Sequence, residues 1–517
     1  MPVLTSKVGK PSKKCEVMER QEAKTNLQVS AKKHVDYKWI VLSVTTIGAL
    51  MAAIDSTIVI LGLPDIMLSL HSDLISMIWV IMAYILVSTI FLLTFGRVAD
   101  LFGRVRMYNL GFVVFTIGSA LCGFSANANQ LILFRLIQGS GAAMMVVNSA
   151  ALITEAFPPN ERGRALGINA ITFSAGGVLG PILGGLILAA GNWRWIFFIN
   201  VPIGLIGAGW AFLALKELNT HKRNEQFDIL GALSFSASLT ALLLGLTMSI
   251  ESGLASWPVL VLFLVFIAGL AFFIVWEHRV KSPVLDFSLF KPRVYTFSVL
   301  AAMGQSLALF AVNFLIVFYL QGVRGFSPLT AALMLIPLPA VTSIVGPLSG
   351  MLADRIGARI PATIGLLVSA VALVFLTRLT DTTPYPQLAV ILGLLGFGGG
   401  LFFPANTSAA MNAAPPQRLG VASATLATLR QAGMVTSFAL SLAVAANSLP
   451  KAAMMQLFVG TNVVLGSQVT QEFVIGMHSA FVLSIVITLI AAAFSYIRGK
   501  ENRRQLASDF IPHGPEA

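Results

Sequence analysis

The sequence predicts an all-α fold, a polytopic membrane protein with fourteen transmembrane helices arranged as two six-helix bundles plus two inserted helices. Three observations predict it: an apolar composition, basic residues confined to alternate loops, and an internal repeat. Of 517 residues, 56% are hydrophobic and 11% charged, with a mean hydropathy of +0.84. A soluble domain must cover its surface with far more polar side chains. The 44 glycines suit helices that approach closely in lipid. A net charge of +12 would suggest nucleic acid only if it clustered on one face, and it does not, so no nucleic-acid partner is expected.

About twenty apolar residues cross a hydrocarbon core as a helix. Fourteen such segments follow one another at 39–63, 74–95, 107–125, 130–153, 165–190, 195–215, 229–249, 258–276, 294–320, 328–352, 360–377, 387–411, 419–446 and 473–497. The first is too long for a signal-peptide core and has no obvious cleavage site, so it is expected to remain in the protein. Residues 1–38 form a basic, polar tail that reads as disordered, and 498–517 a second tail. Residues 39–215 would make the first bundle, 216–291 the two inserted helices with their links, and 292–497 the second bundle. The segment 447–472 is a long loop with room for a half-helix.

Lys and Arg in the loops orient the spans. With the N-terminus inside, the cytoplasmic segments hold 28 of the 34 and the external loops hold 4. The remaining two, Arg135 and Arg430, lie within spans. One missed span would swap the two faces downstream and erase the asymmetry. Both termini are therefore expected in the cytoplasm. Cys15 and Cys122 then fall on opposite sides of the bilayer, where no disulfide can join them.

The halves repeat at an offset near 255 residues. Gly96-Arg-Val-Ala-Asp100-Leu-Phe-Gly103-Arg104 recurs as Gly350-Met-Leu-Ala-Asp354-Arg355-Ile-Gly357-Ala-Arg359, and Ala156-Phe-Pro158-Pro159 as Ala414-Pro415-Pro416. Both copies fall in cytoplasmic loops at matching places, so a six-span unit is duplicated and spans seven and eight are inserted between the copies. Parallel repeats around a central cavity are how alternating-access carriers are built, but repeats occur in channels as well, so the duplication alone points to transport in general.

Within these loops glycine permits a tight turn. Asp100 suits a helix N-terminus or an arginine partner, and Gly96, Asp100, Gly103, Arg104, Asp354 and Arg355 form the expected cytoplasmic gate. Span five carries Gly176-Gly177-Val-Leu-Gly180-Pro181-Ile-Leu-Gly184-Gly185, in which Gly176, Gly180 and Gly184 stack on one helix face and Pro181 introduces a kink.

Three charges are deeply intramembrane: Asp55, Arg135 and Arg430. Even on lenient scales each costs about 2.5–3.5 kcal/mol, so such residues pair or work. At ~1.5 Å per residue Asp55 sits about 12 Å from the outer end of its span and Arg135 about 8 Å, so the two should face a common cavity. Burial disfavours a charged carboxylate and a nearby guanidinium favours it, so a carboxyl moved between two such surroundings loads and releases a proton. Asp55 is the expected coupling group and Arg135 its tuner. Arg430, in Arg430-Gln431-x-Gly433, is assigned a similar electrostatic part in the second half.

These segments resemble motifs of the major facilitator superfamily, in its fourteen-span drug:proton antiporter branch. The loop at Gly96 resembles G-x-L-A-D-R-x-G-R-[RK], with Leu101 in place of the arginine that the second copy keeps as Arg355. Asp55-Ser-Thr57-Ile-Val-Ile60-Leu-Gly-Leu-Pro64 resembles D-x-T-I-V-N-V-A-L-P, with Ile60 for the polar Asn. Leu131-Ile-Leu-Phe-Arg135-Leu-Ile-Gln138-Gly139-Ser-Gly141 resembles L-x(3)-R-x(2)-Q-G-x-G. Asn192-Trp193-Arg194-Trp195-Ile-Phe197-Phe198-Ile-Asn200-Val-Pro202 resembles another family motif and reads as an aromatic anchor at the outer interface. The glycine run resembles the mark of antiporters rather than symporters. The resemblance implies multidrug efflux from the cell (inner) membrane by proton antiport, with protons, the lipid bilayer and a small lipophilic substrate as partners. In a double-membrane organism an adaptor protein would complete the route.

No span after the first carries a deep Asp or Glu, which favours neutral or monocationic cargo over dications. The alternatives are a dedicated exporter of one endogenous metabolite and a non-transporting sensor or scaffold. The chain holds no GxxxxGK[ST], HExxH or GxSxG, so no enzyme chemistry, metal or cofactor is expected.

Overall fold

The computed structural model describes residues 13–158, 161–217, 228–280, 283, 285–415, 419–446 and 467–499. Among them there is no β-strand. The first helix, α1, runs Lys13–Ser69 and so takes in most of the tail that was expected to be disordered. The reason is local: no Gly or Pro interrupts residues 13–47, and Glu, Lys, Gln and Ala are strong helix formers.

Helices α2 (Leu74–Phe102), α3 (Arg104–Gly123), α4 (Ala128–Ala156) and α5 (Arg162–Ala189) follow. The sixth span is divided at Ile199 into α6 (Trp195–Phe198) and α7 (Asn200–Ala214). Next come α8 (Ile229–Ser252), α9 (Trp257–Glu277) and α10 (Arg293–Phe318), which ends in a widened turn where the Arg324 amide reaches the Tyr319 carbonyl at 3.0 Å. The tenth predicted span is divided at Ile336 into α11 (Pro328–Leu335) and α12 (Pro337–Ile356). Helices α13 (Arg359–Leu376), α14 (Tyr385–Ala413), α15 (Leu419–Ala446) and α16 (Ser467–Ile497) complete the order. Among the described residues twelve helical segments are long and apolar enough to cross a membrane. Helices α5 and α15, each of 28 residues, occupy the other two predicted segments. Most of the loop at 447–472, residues 447–466, lies outside the described residues.

The duplicated loops fold alike. Gly103 and Gly357 end α2 and α12 with φ of 103° and 91°, and their amides reach Ala99 and Ala353 carbonyls at 2.9 Å. Any side chain there would be strained, which explains the glycine in both copies. At the α3 side of the first turn the carboxylate of Glu217 receives the amides of Arg104 (2.8 Å) and Val105 (3.2 Å). An acid at a helix N-terminus satisfies donors that the helix itself cannot.

Packing divides the molecule by depth. One buried core runs through the first half and, at the end away from the basic loops, joins the end of α10 with its widened turn (Val312 to Leu320), α11 and the start of α16. At the basic end the second half keeps a separate core around Tyr295, Phe402, Ala410 and Ala422. The halves are thus sealed together at the end away from the basic loops. There Gly185 of α5 abuts the backbone of Leu329: a Cβ on the glycine would stand 2.6 Å from the Leu329 Cα. The inserted pair rests on this seam, with α8 against α2, α9 and α15. Asp228 clips the pair together, accepting from the Gly231 amide (3.0 Å) and the Trp276 indole (2.9 Å). Only 11% of the most apolar window of α9 is buried, as suits a helix whose surface meets lipid.

Candidate functional site

Asp55 lies on α1 at 0% exposure, and its carboxylate is the centre of a closed polar network. Arg135 of α4, 1% exposed, donates from Nη1 to Asp55 Oδ2 at 2.6 Å. Gln138, one turn further along α4, donates from Nε2 to Asp55 Oδ1 at 2.8 Å, and Asn200 of α7 donates to the same oxygen at 3.0 Å. All three partners are donors, so the site is built for the ionised, acceptor-only form of the carboxylate.

The guanidinium is held as firmly. Its Nε reaches the Val80 carbonyl at 3.1 Å, Nη1 also reaches Gln138 Oε1 at 2.7 Å, and its centre lies 4.1 Å from the Tyr84 ring centroid. Gly139 allows this closeness, since a Cβ there would stand 2.6 Å from the Tyr84 carbonyl. Ser119 of α3 receives the other Gln138 amide proton.

The predicted equal depth of Asp55 and Arg135 is therefore a direct ion pair. The expected common cavity is corrected: the pair is enclosed by side chains rather than facing water. Ile60 does not leave the site short of a polar partner, because Gln138 and Asn200 supply two. Asn200 belongs to the segment read as an aromatic anchor. Trp195 there is exposed, but Phe197 is buried, 5.9 Å from the Arg135 guanidinium. Gln138, one turn after Arg135, and Asn200, after the apolar run Trp195–Ile199, were the polar residues whose placement could have signalled both partners.

Removing one member of such a pair strands the other. Arg135→Gln is expected to lower stability by about 3–5 kcal/mol, and Asp55→Asn/Arg135→Gln to recover most of that loss. Thermal unfolding of the purified variants checks this, and equal melting of the single and double variants would contradict it.

The glycine face of α5 packs on the helix that carries Asp55. A Cβ at Gly176 would stand 2.5 Å from the Ala53 Cβ; one at Gly180 would strike the Thr57 hydroxyl; one at Gly184 would stand 3.0 Å from Ile58 Cγ1. Gly177 has nothing within 4 Å. Pro181 lies inside the continuous helix α5, and Gly185 faces Leu329 across the seam.

At the basic end, Gly96 packs near Val147 of α4 and Arg104 pairs with Glu155 at 2.6 Å, both within the first half. Glu155, at the end of α4, is thus an ion-pair partner. Glu217, which caps α3 from the end of the sixth span, was not singled out by any motif. The side chains of Asp100 and Asp354 lie outside the described residues, and Arg355 is exposed in the last turn of α12. In the second half Gln431 accepts from Thr89 of α2 at 3.5 Å, and Arg430 lies over the ring of Phe403. Neither joins the Asp55 network.

Comparison with known proteins agrees with this architecture. The riboflavin transporter RibZ of Clostridioides difficile is 34% identical over 408 residues, covering 78% of this chain and 87% of the relative. The multidrug resistance protein Stp of Mycobacterium tuberculosis is 34% identical over 401 residues, covering 77% of this chain and 74% of the relative. A bacterial homologue of the human lysosomal transporter Spinster, in an inward-facing and unoccupied conformation, shares the fold with a TM-score of 0.60 at 19% identity, over 92% of this chain and 98% of that one. These relatives point to a transporter and not an enzyme. The Major Facilitator Superfamily profile matches residues 45–438, and with relatives of this closeness the chain belongs to the major facilitator superfamily.

Proposed function

We propose that this protein is a proton-coupled exporter of lipophilic small molecules, such as drugs or toxic metabolites, working by alternating access in the cell membrane. The observation that carries the reading is the Asp55 carboxylate, buried in a transporter fold and matched by Arg135, Gln138 and Asn200. Ionised and satisfied while the end away from the basic loops is sealed, it would take up a proton only when that seal opens and the donors part. With the basic loops in the cytoplasm, as their charge predicts, the proton is loaded outside and released inside, which is antiport to an exported compound.

Fourteen spans belong to this reading, with bundles at 39–215 and 292–497 around the inserted 216–291 and both termini cytoplasmic. The loops at Gly96–Arg104 and Asp354–Arg355 act as the inner gate. The stacked glycines of α5 let the carrier of Asp55 pack without bulk. Multidrug relatives favour a broad cargo. A dedicated carrier of one metabolite is the second reading, favoured by the riboflavin transporter among the relatives.

Inverted vesicles with an imposed pH gradient test the proposal. Added lipophilic substrate is expected to dissipate the gradient only where the protein is present. A gradient indifferent to every compound in a broad panel, with correctly inserted protein, rejects it.

A further inference from the structure

We propose that Arg430 binds an anionic group of the transported compound, so that the preferred cargo is a lipophilic weak acid; this rests on the carrier reading above. Two of the three deep charges cancel, since Asp55 and Arg135 are paired and enclosed. The third does not cancel. Arg430 lies eleven residues into α15, about 16 Å along the helix, and no acidic side chain among the described residues pairs with it. Its aromatic neighbour is Phe403 of α14, whose ring centroid is 6.0 Å from the guanidinium carbon and which is itself 36% exposed.

The position is half-buried at the edge of a packed interface rather than within it. Gly433 marks the face of α15 that abuts α10, where a Cβ would stand 2.5 Å from the Met303 carbonyl. On that side Ala422 and Leu426 are buried as well. Arg430, three residues before Gly433 and four after Leu426, borders that face, and with Ser423, Ala427 and Met434 it forms a column every member of which is half-buried. The adjacent Gln431 meets Thr89 of α2, which places the guanidinium beside the seam between the halves.

An arginine keeps its charge in proteins, so it cannot relieve this setting by losing a proton as a lysine can. Its planar fork of N–H donors is left for a partner of matching geometry: a carboxylate, sulfonate, phenolate or phosphate. A net positive pathway also repels organic cations. The expectation of neutral or monocationic cargo rests on the lack of a second deep carboxylate, and the unpaired Arg430 weighs towards an anion instead.

Equilibrium binding to the purified full chain in nanodiscs tests the proposal with three probes sharing one naphthalene body: a carboxylate, its neutral amide and a trimethylammonium analogue. The wild type is expected to bind the carboxylate about tenfold tighter than the amide, and the cation weakest, as one charge-assisted pair implies. In Arg430→Gln the carboxylate-to-amide ratio should fall to about one, and in Arg430→Lys part of it should return. The amide serves as the internal reference for folding. A wild type without carboxylate preference, or an Arg430→Gln that keeps it, overturns the proposal. Gradient dissipation in vesicles by amide or cation but not carboxylate also overturns it, while leaving the carrier reading intact. Carboxylate binding lost in Arg430→Gln, without gradient dissipation by any probe, upholds the anion site and defeats the carrier reading instead.

Discussion

Asp55→Asn is expected to reach the membrane in normal amount and to bring proton-driven transport down to the level of vesicles without the protein. The Arg135 charge loses its counterion, which should lower stability as removal of either member does, but the amide is isosteric and its surroundings can adapt, so the fold should survive. The oxygen of the substituted side chain can still accept from Arg135. Its nitrogen would meet donors from Gln138 and Asn200, but Asn200 Oδ1 is buried without a partner and can turn to accept. What is lost is the one group in the network that exchanges a proton with water. Uncoupled substrate exchange, measured with substrate on both sides and no gradient, should persist. Wild-type gradient dissipation by Asp55→Asn would remove the basis of the mechanism, because no other carboxylate is 0% exposed at mid-span among the described residues.

Gly180→Leu is expected to be nearly as damaging, for a steric reason. Even the Cβ of alanine would collide with the Thr57 hydroxyl and stand 3.0 Å from the Ile54 carbonyl. The backbone of α1 cannot yield at one residue without carrying its neighbour Asp55 away from Arg135. Overpacking of this kind costs about 1–3 kcal/mol for added methylenes, more where backbone must move. The variant should melt earlier and lose transport together. Gly177→Ala, three residues away with open space around the glycine, is the matched control and should behave as wild type. Equal tolerance of both substitutions would show that the stacked glycines of α5 are not a packing face.

Much of the architecture was legible from local signals. Helix boundaries followed apolar runs, and the turn after each repeat followed glycines whose positive φ admits no side chain. The tail before residue 39 departs from expectation because helix propensity outweighs its charge: a run without Gly or Pro continues as helix once α1 is nucleated. The pairing of Asp55 with Arg135 was partly legible, since rise per residue compares depths on different helices. Their enclosure was not, because depth along a helix says nothing of the rotation that turns a side chain towards water, lipid or another helix.

By itself the sequence determined the all-helical class, the apolar segments and their order, the duplicated loops and the rarity of deep charges, all of which depend on contiguous residues. Only the tertiary structure decided that Gln138 and Asn200 complete the carboxylate site, that Glu217 caps the first repeated turn, and that Arg430 pairs with no acid among the described residues. Those facts arise where helices distant in the chain cross, and the rotation and separation at a crossing are fixed by packing along the whole interface rather than by the few residues that meet there.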